Sequence, residues 1–304
     1  MASWTENEIP PLRGRSVVVT GTGGLGFEAS LALARAGAEV IIAGRAPSKG
    51  AAAVAEIRRT TPDAAVRFEV LDLASLGSIA AFGERLRADR SSLDVLVNNA
   101  AVMTPPIRKT TADGFELQFG TNYLGHFALT AQLLPLLRNG DGPRVVSVSS
   151  IAARAGAVDF DDLQAERRYD PMPLYARSKL ACLMFAFELQ RRSDAAGWGL
   201  TSIAAHPGIS RTELIPNGAG RASLSGVART LLWFLFQPAA RGALPILFAA
   251  TAPGAKAGQY YGPDGLGETR GSPAVAKIPP QACDADVARR LWEVSETLTK
   301  ATFS

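Results

Sequence analysis

Tyr175-Ala176-Arg177-Ser178-Lys179 is the stretch of this chain best suited to proton chemistry. A separation of four residues places the Tyr175 phenol and the Lys179 ammonium on one face of a helix. A free phenol titrates near about 10, so a tyrosine that exchanges protons near neutrality needs an adjacent cation. Such a pair also occurs on ordinary amphipathic helices, so it has meaning only beside other groups. A second candidate is Thr20-Gly21-Thr22-Gly23-Gly24-Leu25-Gly26, which follows the apolar run Ser16-Val17-Val18-Val19. Gly21, Gly23 and Gly26 form G-x-G-x-x-G, in which glycines allow a tight turn and bring backbone N–H groups to a pyrophosphate at a helix N-terminus. About 20 residues further on, where an NAD-binding fold carries a carboxylate for the ribose, stand Ala43-Gly44-Arg45. A guanidinium there, with no carboxylate, favours NADP over NAD, and Lys49 adds a second positive charge. The alternative is a surface arginine at a strand end, and NAD stays compatible with the loop.

The elements that must hold these groups are legible in outline. Short β-branched runs at 17–19, 40–42, 66–70, 95–97, 145–148 and 200–205 alternate with Ala- and Leu-rich stretches at 28–36, 51–59, 78–87, 115–137 and 175–192. This rhythm predicts an α/β Rossmann-type fold, a doubly wound parallel sheet flanked by helices. A further run at Gln259-Tyr260-Tyr261 brings the expected sheet to about seven strands. No linker or repeat divides the chain, so residues 1–13 read as an extension and 14–304 as one domain. Within it, 210–245 reads as a substrate lid and 253–304 as a wrapped tail.

Composition narrows the function classes. The 304 residues are 47% hydrophobic with a net charge of +4 and no basic run, which argues against nucleic acid. Cys182 and Cys283 lack metal or disulfide spacing, and neither His126 nor His206 lies in a carboxylate cluster suited to a metal. The N-terminus lacks the basic and apolar segments of a secretory signal. The apolar run Leu231–Phe236 falls well short of the roughly 20 residues that span a bilayer. A cytoplasmic protein without an integral membrane segment is expected. With no G-x-S-x-G elbow and no metal cluster, a Ser/His/Asp hydrolase and a metal-dependent enzyme are disfavoured.

Further motifs complete a recognisable set: Leu71-Asp72-Leu73, Asn98-Asn99-Ala100-Ala101, Asn122-Tyr123-Leu124-Gly125-His126-Phe127, Val148-Ser149-Ser150, and His206-Pro207-Gly208 with Thr212. With the glycine loop and the Tyr175/Lys179 pair, the chain resembles the short-chain dehydrogenase/reductases from about Arg13 to about Leu298. The insert Phe160–Asp170 resembles more narrowly their retinol dehydrogenase branch and its bacterial relatives. The resemblance implies that Tyr175 exchanges a proton with the substrate oxygen while hydride passes to or from a nicotinamide. It implies that Ser150 hydrogen-bonds that oxygen, that Lys179 binds the nicotinamide ribose and lowers the Tyr175 pKa, and that Asn122 holds a proton-relaying water. It assigns the cofactor to Gly21, Gly23, Gly24, Leu25 and Gly26, to Arg45, Asp72 and Leu73, to Asn99 and Ala100, and to Pro207, Gly208 and Thr212. Asn98 and Asn99 could equally stabilise the sheet.

Two departures stand out. Ala101 replaces the usual glycine of N-N-A-G, and the glycine loop is one residue short of T-G-x-x-x-G-x-G. In so compact a loop no side chain is expected to reach a 2′-phosphate, which leaves NADP selectivity to Arg45. Leu214, Leu224, Leu231, Trp233, Phe234 and Phe236 make 210–245 apolar, which suits a hydrophobic ketone, aldehyde or alcohol. The same stripe could pack on the core or on a partner in a homodimer or homotetramer. A carbon–carbon double-bond reductase and a non-enzymatic dinucleotide sensor are the rival readings. A sensor would have no need of the full set Asn122, Ser150, Tyr175 and Lys179.

Overall fold

The computed structural model describes residues 4–210 and 237–303. The β-branched runs become β1 (Ser16–Thr20), β2 (Glu39–Gly44), β3 (Val66–Val70), β4 (Val95–Asn98), β5 (Arg144–Val148) and β6 (Thr201–Ala205). β7 (Tyr260–Gly265) and β8 (Arg270–Val275) complete one sheet of order β3-β2-β1-β4-β5-β6-β7-β8. Strands β1 to β7 are parallel, and β8 returns antiparallel to β7. Among the described residues the sheet thus has eight strands, one more than expected. The strand that sequence reading passed over, Arg-Gly-Ser-Pro-Ala-Val, has neither β-branched enrichment nor a clean alternation.

Alternation along the central strands divides the core into two faces. Val18, Ile41, Leu96 and Val145 point to one side; Val17, Val19, Val40, Ile42, Val95, Val97 and Val146 point to the other. The first face is covered by α3 (Leu76–Asp89), α5 (Gly125–Arg138) and α6 (Pro171–Ala196). The second is covered by α1 (Gly24–Arg35), α2 (Pro47–Thr60) and α7 (Ala239–Thr251). The ends follow local chemistry. Ser75 caps α3 by accepting from the Ser78 N–H, prolines open α2 and α6, and Gly197 at φ 65° stops α6 in the left-handed conformation.

The long helical region expected over 115–137 is broken in two. A short α4 (Leu117–Phe119) runs into a π-helical turn, Gly120–Leu124, before α5 begins. Such single-turn bulges displace side chains from regular helical spacing. Asn122 sits on this one.

The stretch 253–304 does more than wrap the surface. Besides β7 and β8 it supplies α8 (Ala285–Thr299), whose Leu291 and Trp292 are each only 1% exposed. The Trp292 ring centroid lies 4.9 Å from Phe127 and 5.7 Å from Phe185, so this helix closes the core over α5 and α6.

Candidate active site

The carboxyl ends of β1, β2, β4, β5 and β6 converge, and the order reverses beside β1, where the sheet runs outward to β2 in one direction and to β4 in the other. Open α/β sheets bind ligands in the crevice at such a switch point. Nearly all the residues singled out in the sequence lie there; Thr212 and the apolar residues from Leu214 to Phe236 fall outside the described residues.

Thr20, the last residue of β1, is the hub. Its Oγ1 accepts from the N–H groups of Asn99 (2.8 Å) and Ala100 (2.9 Å) and lies 2.9 Å from His126 Nε2. His126 Nδ1 is 2.9 Å from the carbonyl oxygen of Asn122, which can only accept, so Nδ1 carries the hydrogen. Burial holds the His126 pKa down to about 4, so the ring is neutral and Nε2 accepts the Thr20 hydroxyl proton. One neutral imidazole therefore links the cofactor loop to the π-helical turn. Asn99 adds a bond from Nδ2 to Thr20 O at 2.8 Å.

The glycines divide their work. Gly21 has φ 102° and Gly24 φ 53°, so both use the left-handed region. A Cβ on Gly26 would sit 2.6 Å from Gly21 O and 2.7 Å from Asn99 Nδ2, which makes that position glycine by close packing. Around Gly23 a Cβ would meet nothing within 4 Å, and as N-cap of α1 it provides no side-chain hydrogen bond. The helix N-terminus thus faces open space with its first N–H groups uncapped, an arrangement suited to an anion. Leu25 turns away, to 2.9 Å from where a Gly242 Cβ would lie, and packs toward α7.

At the end of β2, Arg45 and Lys49 are exposed, and Arg45 forms no salt bridge or hydrogen bond among the described residues. Thr22 Cγ2 lies 2.8 Å from where a Gly44 Cβ would be, so the loop packs against the end of β2. Beyond β3, Asp72 Oδ1 accepts from the Ala74 N–H at 3.0 Å, and Leu73 packs its carbonyl against Gly125. Both have local structural work.

The catalytic candidates surround the end of β5. Tyr175 and Lys179 are both buried, at 5% and 3% exposure, on α6. Burial raises the Tyr175 pKa, and a hydrogen bond with the Ser150 side chain opposes that rise in part. The phenol is therefore protonated at neutral pH. Lys179 Nζ donates to Val148 O at 3.0 Å and lies 5.9 Å from the Tyr175 ring centroid; burial lowers its own pKa. Desolvation thus dominates over the cation that sequence spacing emphasised. Ser150 Oγ also accepts from the Ala152 N–H at 3.2 Å and opens the turn Ile151–Ala155, while Ser149 Oγ donates to Lys179 O at 2.7 Å.

Asn122 is bonded on every side. Its Nδ2 donates to Val102 O (2.9 Å) and Ser178 Oγ (3.0 Å), Oδ1 accepts from the Val102 N–H (2.7 Å), and the Cys182 thiol shares the backbone carbonyl with His126 (3.1 Å). This pins the segment after β4 to α6. Pro207 O accepts from Gln237 Nε2 (2.6 Å), and Gly208, at φ 64°, leaves the turn after β6 close against Thr269.

Sequence reasoning missed the Thr20–His126 link and the pairing of His206 with Glu268 at 3.0 Å, since neither partner is near in sequence. Among the described residues no cluster of His, Cys, Asp and Glu could hold a metal, and no helix is long and apolar enough to cross a membrane.

The family model described as short chain dehydrogenase matches residues 15–219. The chain belongs to the short-chain dehydrogenase family. Mouse retinol dehydrogenase 13 is 42% identical over 291 residues, covering 94% of this chain and 84% of that one. Mouse polyprenol dehydrogenase is 40% identical over 300 residues, covering 96% and 86%. A crystal structure of an uncharacterized protein from Mycobacterium Paratuberculosis superposes with a TM-score of 0.83 at 38% identity over all of both chains. A short chain dehydrogenase from Shigella flexneri complexed with NADP shares the fold, with a TM-score of 0.65 at 22% identity over 83% of this chain and 98% of that one. The chain is accordingly an oxidoreductase of the retinol dehydrogenase-like branch, acting on CH–OH and C=O groups.

Proposed function

We propose that this oxidoreductase uses NADP(H) to interconvert a hydrophobic ketone or aldehyde and its alcohol, with Tyr175 as the proton-exchanging group. The observation that carries the reading is the buried, protonated Tyr175 held beside Ser150 and Lys179 at the end of β5, in the crevice that the glycine loop borders. The residues present fit the cofactor. The open N-terminus of α1 around Gly23 and Gly24 suits a pyrophosphate, and Arg45, with Thr22 beside Gly44, suits a 2′-phosphate. Pro207, Gly208 and the segment from Asn99 to Ala100 would border the nicotinamide end, and Asp72 with Leu73 the adenine end.

When bound, the cofactor supplies or accepts the hydride. In the reductive direction the Tyr175 hydroxyl donates its proton to the carbonyl oxygen, with the Ser150 hydroxyl hydrogen-bonded to the same oxygen. The Lys179 ammonium has three donors, of which Val148 O takes one; the others can meet a ribose and favour the phenolate that proton donation leaves. Oxidation runs the same proton transfer in reverse. Asn122 keeps Val102 and Ser178 in register so that this side of the crevice does not drift. Support for an apolar substrate comes from the apolar residues of 210–245 and from the relatives, named for retinol and polyprenol.

Tyr175→Phe tests the reading. The variant should lose about a thousandfold or more in turnover on an apolar ketone or aldehyde panel while binding NADPH nearly as the parent does. Turnover within tenfold of the parent would overturn the role of Tyr175.

A further inference from the structure

The turn between β7 and β8 crosses the end of β6. Ile209 N–H donates to Thr269 O at 2.8 Å, and a Cβ on Gly208 would lie 2.3 Å from Thr269 O and 3.0 Å from Glu268 O. Leu266 and Glu268 sit at φ 44° and 66°, left-handed backbone that costs on the order of 1 kcal/mol for a non-glycine residue and persists only where other contacts impose it. The Glu268 carboxylate makes those contacts. Oε2 accepts from His206 Nε2 at 3.0 Å and from Arg154 Nη2 at 2.6 Å; Oε1 accepts from the Lys277 N–H at 2.9 Å.

His206 is fully buried, and burial lowers its pKa, so the ring is neutral. Its Nδ1 accepts from the Gly208 N–H at 3.2 Å. A neutral imidazole that accepts at Nδ1 must carry its hydrogen on Nε2, which is the nitrogen facing Glu268. Arg154, the other partner, belongs to the turn that Ser150 opens. One carboxylate from the C-terminal stretch therefore ties the Ser150 turn to the Pro207–Gly208 turn.

We infer that Glu268 is a positioning residue for hydride transfer: it fixes His206 as the Nε2–H tautomer, whose Nδ1 then holds the Gly208 N–H and with it the turn bordering the nicotinamide. This rests on the cofactor placement proposed above. The adenosine end is gripped elsewhere, so releasing this turn should slow the chemical step far more than it weakens cofactor binding.

The chain has two histidines, which makes the tautomers directly readable by nitrogen-15 NMR of the full chain. His206 should show an Nε2–H ring and His126 the opposite, Nδ1–H. In Glu268→Ala, His206 should lose its single tautomer, and single-turnover hydride transfer from NADPH should slow about tenfold or more with the NADPH dissociation constant within about threefold of the parent. Glu268→Gln, whose amide oxygen still accepts from Nε2–H, should keep the tautomer and recover most of the rate. An Nδ1–H ring at His206 in the parent, an undiminished rate in a folded Glu268→Ala, or a Glu268→Gln as slow as the alanine variant would each overturn the inference. A parent that transfers hydride to no apolar carbonyl would overturn the proposed substrate class separately; the tautomers would then decide the Glu268–His206 contact alone.

Discussion

Lowering the pH from 7 to 5 should weaken the folded state by about 2 kcal/mol through His126 alone. The ring titrates near the ordinary 6.5 when the chain is unfolded and at about 4 when folded, because burial disfavours its charge and the Lys179 ammonium adds repulsion. Between those values the unfolded chain binds more protons, so the stability contribution is whole above pH 6.5 and is lost as pH falls toward 4. At pH 5 the unfolded imidazole is almost fully protonated and the folded one almost neutral, which gives the figure above. Domains of this kind have only about 5–15 kcal/mol in all, so the loss should be plain in urea midpoints followed by circular dichroism. His206 titrates in the same direction and adds to the drop. In His126→Asn the amide can still donate to Asn122 O, but the titration is gone, so the acid loss should shrink by the His126 share of about 2 kcal/mol. An unchanged acid loss in that variant would refute the assignment of His126 as buried and neutral.

Arg45→Ala should erase a preference for NADPH over NADH, read as a ratio of dissociation constants; equal affinities in the parent would remove the argument. Thr20→Val keeps the shape of the side chain but orphans the N–H groups of Asn99 and Ala100, and should lower the unfolding free energy by about 2 kcal/mol or more in denaturant melts. Trp292→Ala should cost about 3–5 kcal/mol, since the ring fills the core between α5 and α6; a shift below about 1 kcal/mol would mean that the C-terminal stretch is peripheral. Burial raises the pKa of Tyr123, Tyr175 and Tyr260, so their stability contribution should be intact below about pH 10 and fall as pH rises beyond it, in the same melts.

Hydrophobic periodicity carried the parallel sheet and its helices because buried β-branched runs and Ala/Leu-rich helices differ in local composition. The glycines, Arg45, Ser150, Tyr175 and Lys179 were visible as well, since each lies at a junction that the alternating pattern locates. β8 was hidden because its Gly and Pro residues follow turn chemistry, and its pairing with β7 depends on tertiary contacts. The π-helical turn left no trace in the 3.6-residue pattern. Glu268 was invisible for a related reason: its importance comes from His206, 62 positions earlier, and from Arg154, neither of which shares an element with it. The Tyr175 environment was legible in residue types and not in energetics, because four-residue spacing fixes a common helix face but says nothing about burial.

β8 also has a consequence for assembly. Pro273 has no N–H, the Ser272 N–H donates to Asp264 Oδ1, and the Gly271 N–H reaches Gln237 Oε1. Three consecutive positions on the outermost strand therefore have no donor free for an incoming strand. Free edges are where sheets of separate molecules fuse, and a run without donors blocks that fusion. A second copy of this chain pairing across residues 271–273 would find no free donor there unless those side-chain bonds first break. The 271–273 stretch of β8 is therefore a poor seam for joining the sheets of two copies.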